Sequence, residues 1–204
     1  MIGDRLVHAG IGNAVNQGLL CSYIELLAKW NRKINLTSLD IDPICPSAID
    51  RLIVEPVIAS QFIGSGEVSV IDLGSGGGSP AIPLKTQLPM ARLRMVESRS
   101  KKCAFLREAV RNLGLSDTSV EETRFELLTQ SQRLSASADV VTIRAVRLDD
   151  DLCDLIRWLL APGGLVFRFS SPGESQFPSR LKLIESHPLV ESPRSDLQIL
   201  QIID

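Results

Sequence analysis

The stretch Val68–Pro83, which reads VSVIDLGSGGGSPAIP, decides the fold of this chain. Its first part is mostly apolar and predicts a buried strand that ends at Leu73. A glycine-rich segment follows and predicts a tight turn, after which Ser79-Pro80 can cap and start a helix. Glycines suit that turn because a missing Cβ lets a flat or anionic ligand lie against bare backbone. The stretch therefore predicts a strand, a turn and a helix that together bind a small molecule.

A second carboxylate indicates what that molecule contains. Leu93–Val96 reads as another apolar strand, and it places Glu97 about twenty residues past the glycine turn, the distance at which an acidic residue binds ribose hydroxyls in nucleotide-binding α/β units. Two cofactors fit this spacing. Gly76-x-Gly78-x-x-Ala81 matches a dinucleotide fingerprint, whereas Gly74-x-Gly76-x-Gly78 behind Asp72 is similar to the S-adenosylmethionine loop of class I methyltransferases. A glycine turn without a ligand is the third interpretation at this point.

Length and composition indicate one soluble globular unit. The chain has 204 residues, of which 44% are hydrophobic, and this is ample for a single large core. Its four cysteines stand far apart without a C-x-x-C pair, so we expect neither a metal site nor a disulfide framework, and a reducing cytoplasm fits. No apolar run is long enough to span a bilayer and no secretory signal is evident, so we expect a cytoplasmic protein without a membrane partner.

The charge pattern limits how nucleic acid could be bound. The formal net charge is −2, so no global positive field attracts nucleic acid to this protein. Any such partner must be held locally, and residues 92–111 are the candidate segment because seven basic residues face only two acidic ones there. The basic residues are Arg92, Arg94, Arg99, Lys101, Lys102, Arg107 and Arg111. A solvated helix face is the ordinary explanation of such a run, and composition leaves both interpretations open.

The first third of the chain predicts a helical extension. Apolar residues recur at helical spacing from Leu19 to Trp30 and define an amphipathic helix. Ser47–Phe62 reads as another helix, in which Pro56 predicts a kink or a break. Gly64-Ser-Gly66 then reads as a short linker. We therefore expect residues 1–66 to form an extension that packs on an α/β domain formed by residues 67–204.

From Val68 onward strands and helices alternate, which implies parallel strands joined by right-handed crossovers. The later predicted strands are Thr118–Glu121, Ala138–Ile143 and Leu165–Phe169, and the predicted helices are Ser100–Leu113, Arg124–Leu134, Asp149–Leu160 and Ser179–Ser186. Leu189–Ser192 and Leu197–Ile203 flank a turn and predict an antiparallel hairpin at the sheet edge. The expected fold is α/β, with a Rossmann-like, mostly parallel sheet that ends in an antiparallel hairpin, and this ending favours a methyltransferase over a dehydrogenase.

Several motifs together resemble the RsmG family, also called glucose-inhibited division protein B, bacterial methyltransferases that modify a guanine N7 of 16S ribosomal RNA. The resemblance covers most of the chain. It rests on Trp30-Asn31 with Asn35-Leu-Thr-Ser38, Ile71-Asp-x-Gly-x-Gly-x-Gly-x-Pro-x-Ile-Pro-Leu84, Ser100-Lys-Lys-x-x-Phe-Leu106, Arg124-x-Glu126, Arg144-Ala145 and Pro162-Gly-Gly164. It implies a class I methyltransferase fold, S-adenosylmethionine as the cofactor, and 16S ribosomal RNA or the small ribosomal subunit as the partner.

The resemblance also implies which residues bind the cofactor. Glycines of the turn would line its methionine and ribose part, Glu97 would bind the ribose hydroxyls, and Phe125 and Glu126 would embrace the adenine. Ser79 stands where the family usually has leucine. The implied cofactor residues are Asp72, Gly74, Gly76, Gly78, Ser79, Glu97, Phe125, Glu126 and Arg144.

On the substrate side the resemblance implies fewer residues. Arg144 falls at the strand-four arginine that closes the cofactor and target site, which makes it the predicted catalytic residue. Lys101 and Lys102 match basic positions of the family and predict contacts with RNA.

Two departures from the family pattern concern the substrate side. The chain has Leu52-Ile53-Val54-Glu55 where the family usually has His-Ile-Leu-Asp, and Phe169-Ser170-Ser171 where it usually has Leu-Lys-Gly. A histidine and a lysine are therefore absent. Arg168 lies two residues before Ser170, and side chains two apart share a face of a strand, so Arg168 is a predicted RNA contact that could replace the lysine.

Overall fold

A seven-stranded sheet forms the centre of the computed structural model of this chain, which describes residues 1–12, 16–64, 66–130, 134–170, 176–191 and 194–203. The strands are β1 Ser69–Leu73, β2 Arg92–Glu97, β3 Thr118–Glu122, β4 Ala138–Arg144, β5 Leu160–Ser170, β6 Leu181–Glu191 and β7 Arg194–Ile202. Their order is β3-β2-β1-β4-β5-β7-β6, in which β1 to β5 run parallel, β7 is antiparallel to β5, and β6 is antiparallel to β7. The predicted mostly parallel sheet with an antiparallel edge hairpin is confirmed.

Helices cover both faces of the sheet. They are α1 Ile2–His8, α2 Gln17–Asn31, α3 Pro46–Ile49, α4 Glu55–Ala59, α5 Ala81–Gln87, α6 Ser100–Leu113, α7 Phe125–Leu128 and α8 Asp150–Leu159. The helix predicted around Pro56 is one irregular element, because a π-helical turn, Asp50–Val54, joins α3 to α4 and a 3₁₀ turn, Ser60–Phe62, follows. Pro56 has no N–H to donate, and the break that it predicts occurs as the π-helical turn just before α4.

Two hydrophobic cores flank the sheet because alternate residues of each strand point to opposite faces. Val70 of β1 packs into the core that contains the helices of residues 1–63 together with α5 and α6. Its neighbour Ile71 packs into the other core, against α8. The division of the chain at residue 66 stays a prediction, since the N-terminal helices share a continuous core with the sheet.

The sheet order places a crevice next to the glycine turn. The strand order reverses between β1 and β4, which lie side by side, and ligands of open α/β sheets bind outside the carboxyl ends of strands at such a switch point. The glycine turn follows β1 and the segment that begins with Ala145 follows β4. Every candidate residue of the cofactor site lies near this edge.

Three predicted elements differ from the structure. The helix predicted over 179–186 is wrong, because residues 181–191 form β6 and pair with β7. The helix predicted over 124–134 is reduced to α7, and residues 131–133 lie outside the described residues. The fifth strand is longer than predicted and includes Pro162-Gly-Gly164, where its register with β4 shifts. Ser65 of the predicted linker, and Ser192 and Pro193 of the predicted hairpin turn, also lie outside the described residues.

Candidate functional site

The glycine turn presents bare backbone to the crevice. Gly74 and Gly76 adopt left-handed backbone angles, with φ of 77° and 53°, which glycine accepts without strain. A Cβ on Gly74 would lie 3.0 Å from Cγ2 of Val146, and a Cβ on Gly78 would lie 2.5 Å from Cδ1 of Ile82 in α5. Gly78 has a φ of 88°, so its backbone conformation as well as the neighbouring Ile82 favours glycine there. Gly74 lines the crevice and Gly76 donates to Glu97, while contact of the three glycines with the cofactor stays a prediction.

Glu97 is held at the mouth of this turn. It is the last residue of β2 and is buried, and its Oε2 accepts a hydrogen bond of 3.0 Å from the backbone N–H of Gly76. Its Oε1 accepts one of 2.9 Å from the N–H of Arg99. Two backbone donors thus fix the carboxylate beside the glycines, in the place where the resemblance puts a ribose.

The residues assigned to the adenine line the same crevice. A cavity of about 340 Å³ is bounded by Gly74, Glu97, Ser98 and residues 124–126, so the ribose and adenine candidates come together there. Phe125 and Glu126 also border a second cavity of about 510 Å³, which reaches Val146 and the side chains of α8. These volumes are in the usual range of small-molecule sites. The glycines, Glu97 and this pair of cavities fit an adenosine-containing cofactor.

Asp72 offers a buried acceptor behind the turn. The residue is 1% exposed, its Oδ1 accepts a hydrogen bond of 2.6 Å from Oγ1 of Thr142, and its Oδ2 has no partner within the described part of the chain. Burial raises the pKa of Asp72, while the nearby hydroxyl of Ser75 and the hydrogen bond from Thr142 act in the opposite direction. A buried acceptor without a partner fits a ligand that brings a donor, such as the amino group of S-adenosylmethionine.

Arg144 is occupied by protein partners. Its Nη2 lies 2.8 Å from Oε2 of Glu55 in an ion pair whose side chains are 10% and 1% exposed. The guanidinium carbon also stands 4.4 Å from the ring centroid of Phe169. Burial lowers the pKa of Arg144 to about 10 and Glu55 raises it, so the group stays charged at neutral pH. Arg144 is therefore placed as a positioning residue, and its predicted contact with cofactor or target stays a prediction.

The irregular helix supplies further acceptors to this cluster. The N–H of Glu55 donates to Asp50 in the π-helical turn, which leaves the carbonyl of Arg51 free to accept a hydrogen bond of 2.6 Å from Nη1 of Arg144. Because Pro56 lacks an N–H, the carbonyl of Leu52 has no α-helical donor. It accepts instead from Oγ of Ser79 at 2.9 Å. The backbone irregularity thus joins the N-terminal helices to strand β4 and to the glycine turn.

Ser79 takes part in the same cluster rather than capping a helix. Its Oγ accepts a hydrogen bond of 3.0 Å from Nη1 of Arg144 while it donates to Leu52, and Pro80 occupies the position before α5. The prediction that Ser79 caps α5 is wrong, because its hydroxyl is bound elsewhere. Its assignment to the cofactor stays a prediction.

The ends of β4 and β5 form a third cavity next to the cofactor crevice. It measures about 400 Å³ and is lined by residues 143 and 145–148, by Arg168 and Phe169, and by Gln176. Val146 borders this cavity and also lies over Gly74. Ala145 has a φ of 54°, an uncommon backbone conformation for a residue with a side chain and one that concentrates at functional sites.

The two departures from the family pattern are both buried. Leu52 is 6% exposed and Ser170 is 1% exposed, with Oγ of Ser170 donating to the carbonyl of Asp196 at 3.1 Å. Arg168 shares the face of Ser170, as the cross-strand pairs Arg168 with Gln198 and Ser170 with Asp196 show. Arg168 is half-buried, lines the third cavity and donates to Oε1 of Gln198 at 2.9 Å.

The basic segment is divided between different environments. Lys101 is exposed at the start of α6, whereas Lys102 is half-buried and its Nζ lies 3.8 Å from the position of a Cβ on Gly76. Arg107 is paired with Glu122 at 2.8 Å. The two predicted RNA contacts are thus not equivalent, because Lys102 leans toward the glycine turn and Lys101 faces solvent.

Sequence reasoning missed several partners of the site. Tyr23 and Thr142 hydrogen-bond to the glycine turn and to Asp72, and Glu55 pairs with Arg144. Glu55 gave a weak signal, because it stands where the resembled family has an acidic residue. Among the residues that the structure describes, no group of three or more His, Cys, Asp or Glu side chains is placed to hold a metal ion. No described helix has the length and apolar character needed to cross a membrane.

Comparison with solved structures agrees with the class of protein that this crevice indicates. The fold matches a SAM-dependent methyltransferase from Aquifex aeolicus with a TM-score of 0.61, at 12% identity over 78% of this chain and 94% of that one. It also matches a putative methyltransferase, yhhF, from Escherichia coli with a TM-score of 0.53, at 14% identity over 68% of this chain and 78% of that one. The fold is therefore that of class I, S-adenosylmethionine-dependent methyltransferases.

Sequence comparison then gives the family. The family model GidB, described as rRNA small subunit methyltransferase G, matches residues 16–175. A ribosomal RNA small subunit methyltransferase G from Stenotrophomonas maltophilia is 35% identical over 191 residues, covering 90% of this chain and 84% of its own length. One from Neisseria gonorrhoeae is 36% identical over 153 residues, covering 72% of this chain and 67% of its own length. The chain belongs to the rRNA small subunit methyltransferase G family.

Proposed function

We propose that this protein transfers a methyl group from S-adenosylmethionine to N7 of a guanine in 16S ribosomal RNA, in the cytoplasm. The observation that carries the proposal is the convergence of three features at the switch point of the sheet. The glycine turn and Glu97 border the cofactor crevice, Phe125 and Glu126 extend it, and the cavity at the ends of β4 and β5 adjoins it through Val146. A donor and a flat acceptor can lie side by side in this arrangement.

The cofactor would be held by groups of different chemistry. The carboxylate of Glu97 suits the two ribose hydroxyls, and the cavity beside Phe125 and Glu126 suits the adenine. Oδ2 of Asp72, which is buried without a partner within the described part of the chain, suits the amino group of the methionine part. Lys102 adds positive charge near Gly76, where the methionine carboxylate can lie. S-adenosylmethionine, once bound, supplies an activated methyl group on a sulfonium.

The proposed reaction requires little acid–base catalysis from the protein. Guanine N7 carries a free lone pair and no proton, so the transfer needs no general base. The protein must align donor and acceptor and exclude water, because in-line displacement depends on geometry. The buried cluster of Arg144, Glu55 and Ser79 fixes the end of β4 relative to the glycine turn and thereby serves this alignment.

The acceptor base would enter the cavity at the ends of β4 and β5. A base inside folded RNA must leave its stack before it can enter a pocket, and cations nearby hold the flanking phosphates. Arg168 and Arg147 both line the cavity, and Arg168 is the predicted RNA contact of the two, while Lys101 is exposed at the start of α6. We propose that Lys101 and Arg168 contact RNA and that Lys102 acts nearer the cofactor.

Methylation of isolated small ribosomal subunits and of naked 16S RNA by the parent tests this function. We expect N7-methylguanosine to form with the parent and its yield to fall with Arg168→Ala, while Arg32→Ala, which changes an exposed arginine at the end of α2, serves as the matched control. Ser170→Ala should be neutral, because Ser170 is buried beside Asp196 rather than open to the cavity. Methylation of a different atom or a different RNA would show that the protein uses another acceptor. Cofactor binding without methyl transfer would show that the protein is a binding relative that has lost activity.

A further inference from the structure

The N-terminal extension covers one side of the glycine turn. The hydroxyl of Tyr23, in α2, donates a hydrogen bond of 2.7 Å to the carbonyl of Gly77, 54 residues away in the chain. Tyr23 is fully buried, and burial raises the pKa of its hydroxyl, so the group remains a donor at neutral pH. A Cβ on Gly77 would lie 3.3 Å from Cδ1 of Leu27 and 3.3 Å from the carbonyl oxygen of Leu36. Only a residue without a side chain fits there without displacing these neighbours.

The Trp30-Asn31 and Asn35-Leu-Thr-Ser38 motifs build this contact. Oδ1 of Asn31 accepts hydrogen bonds from the N–H groups of Leu36 at 2.8 Å and Thr37 at 3.0 Å, which fixes the segment after α2. Trp30 packs edge to face on Phe105 of α6, with ring centroids 5.9 Å apart. The end of α2 is thereby anchored, and the carbonyl of Leu36 is held against Gly77.

The contact of Tyr23 and Leu36 with Gly77 restricts the conformational freedom of the glycine turn. Four of the five residues 74–78 are glycines, and glycine loses more conformational freedom on ordering than any other residue. If the turn were disordered in the free protein, cofactor binding would have to order it, and this would lower the affinity. A turn that is already ordered avoids that loss of affinity. Gly76 donates to Glu97 on the crevice side, and Gly77 is held by Tyr23 on the other.

We infer that Tyr23 and Asn31 are positioning residues of the cofactor site, which order the glycine turn from the side of the N-terminal extension. This inference rests on the proposed function and explains why the extension carries those two motifs. It also assigns Gly77 to contact with the extension, in contrast to Gly74, which lines the crevice, and Gly76, which donates to Glu97. Neither Tyr23 nor Asn31 needs to touch the cofactor.

Calorimetry with S-adenosylhomocysteine on the full chain tests the inference. Tyr23→Phe removes only the hydroxyl, and Gly77→Ala adds a Cβ against Leu36. We expect Tyr23→Phe to raise the dissociation constant about tenfold, the size of one lost hydrogen bond. Gly77→Ala keeps that hydrogen bond but should also raise the dissociation constant, because its Cβ must displace Leu27 or Leu36. Ile24→Val, a mild core change on the same helix, and Gly64→Ala, where an added Cβ meets nothing within 4 Å, are the matched controls and should bind like the parent.

Two further readouts separate positioning from general loss of stability. Amide hydrogen exchange should accelerate in residues 74–79 of Tyr23→Phe while β2 and β4 keep their protection. In methyl transfer, the KM for S-adenosylmethionine should rise more than kcat falls, because binding is lost in ground and transition states alike. If both variants bind S-adenosylhomocysteine like the parent, or lose only melting temperature, the inference is overturned. A parent that does not bind S-adenosylhomocysteine at all would contradict the proposed function instead.

Discussion

Replacing Arg144 with leucine removes one partner of the most buried ion pair next to the site. Glu55, 1% exposed, would keep the hydrogen bond of 2.7 Å from Oγ of Ser195 and the contact of 3.3 Å with Nη1 of Arg51. Breaking a buried pair by removing one partner costs about 3–5 kcal/mol. Because Arg51 can approach Glu55 further, we expect the lower end, about 3 kcal/mol of unfolding free energy. For a chain of this size that lowers the melting temperature by roughly 6–12 °C.

Urea denaturation of Arg144→Leu, Glu55→Leu and the double variant measures the pair. Leucine at both positions removes both charges, so the double variant should recover much of the loss of either single change. The coupling energy should be at least about 2 kcal/mol. A loss of less than about 1 kcal/mol in Arg144→Leu, or strictly additive single changes, would refute the conclusion that this pair ties β4 to the N-terminal helices.

Three further predictions concern the crevice and the RNA surface. Glu97→Gln should weaken S-adenosylhomocysteine binding by about 10- to 100-fold, because charge-assisted hydrogen bonds contribute about 1.5–3 kcal/mol, and calorimetry measures it. Lys101→Glu should weaken RNA binding, reduce the slope of log affinity against log salt concentration by about one, and leave cofactor affinity unchanged. Lys102→Glu should instead weaken cofactor binding. Titration of each variant with RNA and with S-adenosylhomocysteine measures both effects. Asp72 has a raised pKa, so the folded protein holds that proton more tightly than the unfolded chain. The free energy of unfolding of the parent, relative to that of Asp72→Asn, should therefore fall as pH rises above 3.8. Urea denaturation of both proteins at several pH values measures this difference.

The parts of the fold that the sequence predicts are those with local periodicity. Helices α2, α6 and α8 and the five parallel strands follow from the spacing of apolar residues. The N-cap of α2 at Asn16 lies in a stretch without a clear pattern and comes from the structure. The first part of β6 reads as a helix in the sequence because residues 182–186 are all exposed and carry no two-residue alternation, whereas its last residues are predicted as a strand. Its conformation depends on pairing with β7, from Leu181 opposite Ile202 to Glu191 opposite Arg194, which no local pattern shows.

The same distinction holds in the site. Asp72, the glycine turn and Glu97 are predictable because each follows or ends a strand at the same edge of the sheet. The ion pair between Arg144 and Glu55 joins residues 89 positions apart, and the carbonyls that complete the cluster are freed by a π-helical turn. The spacing of residues in the sequence predicts neither the ion pair nor the free carbonyls. A valine at position 76 would strain the turn itself, because a β-branched residue is disfavoured at a φ of 53°.

The most direct test of the whole account is mass-spectrometric mapping of methylated nucleosides in 16S ribosomal RNA. RNA would be compared from cells that lack the gene, from cells that carry the parent, and from cells that carry Glu97→Gln. We expect one N7-methylguanosine to be missing without the gene, to return with the parent, and to return only weakly with Glu97→Gln. An identical set of methylated nucleosides with and without the gene would contradict the assignment of 16S RNA as the substrate.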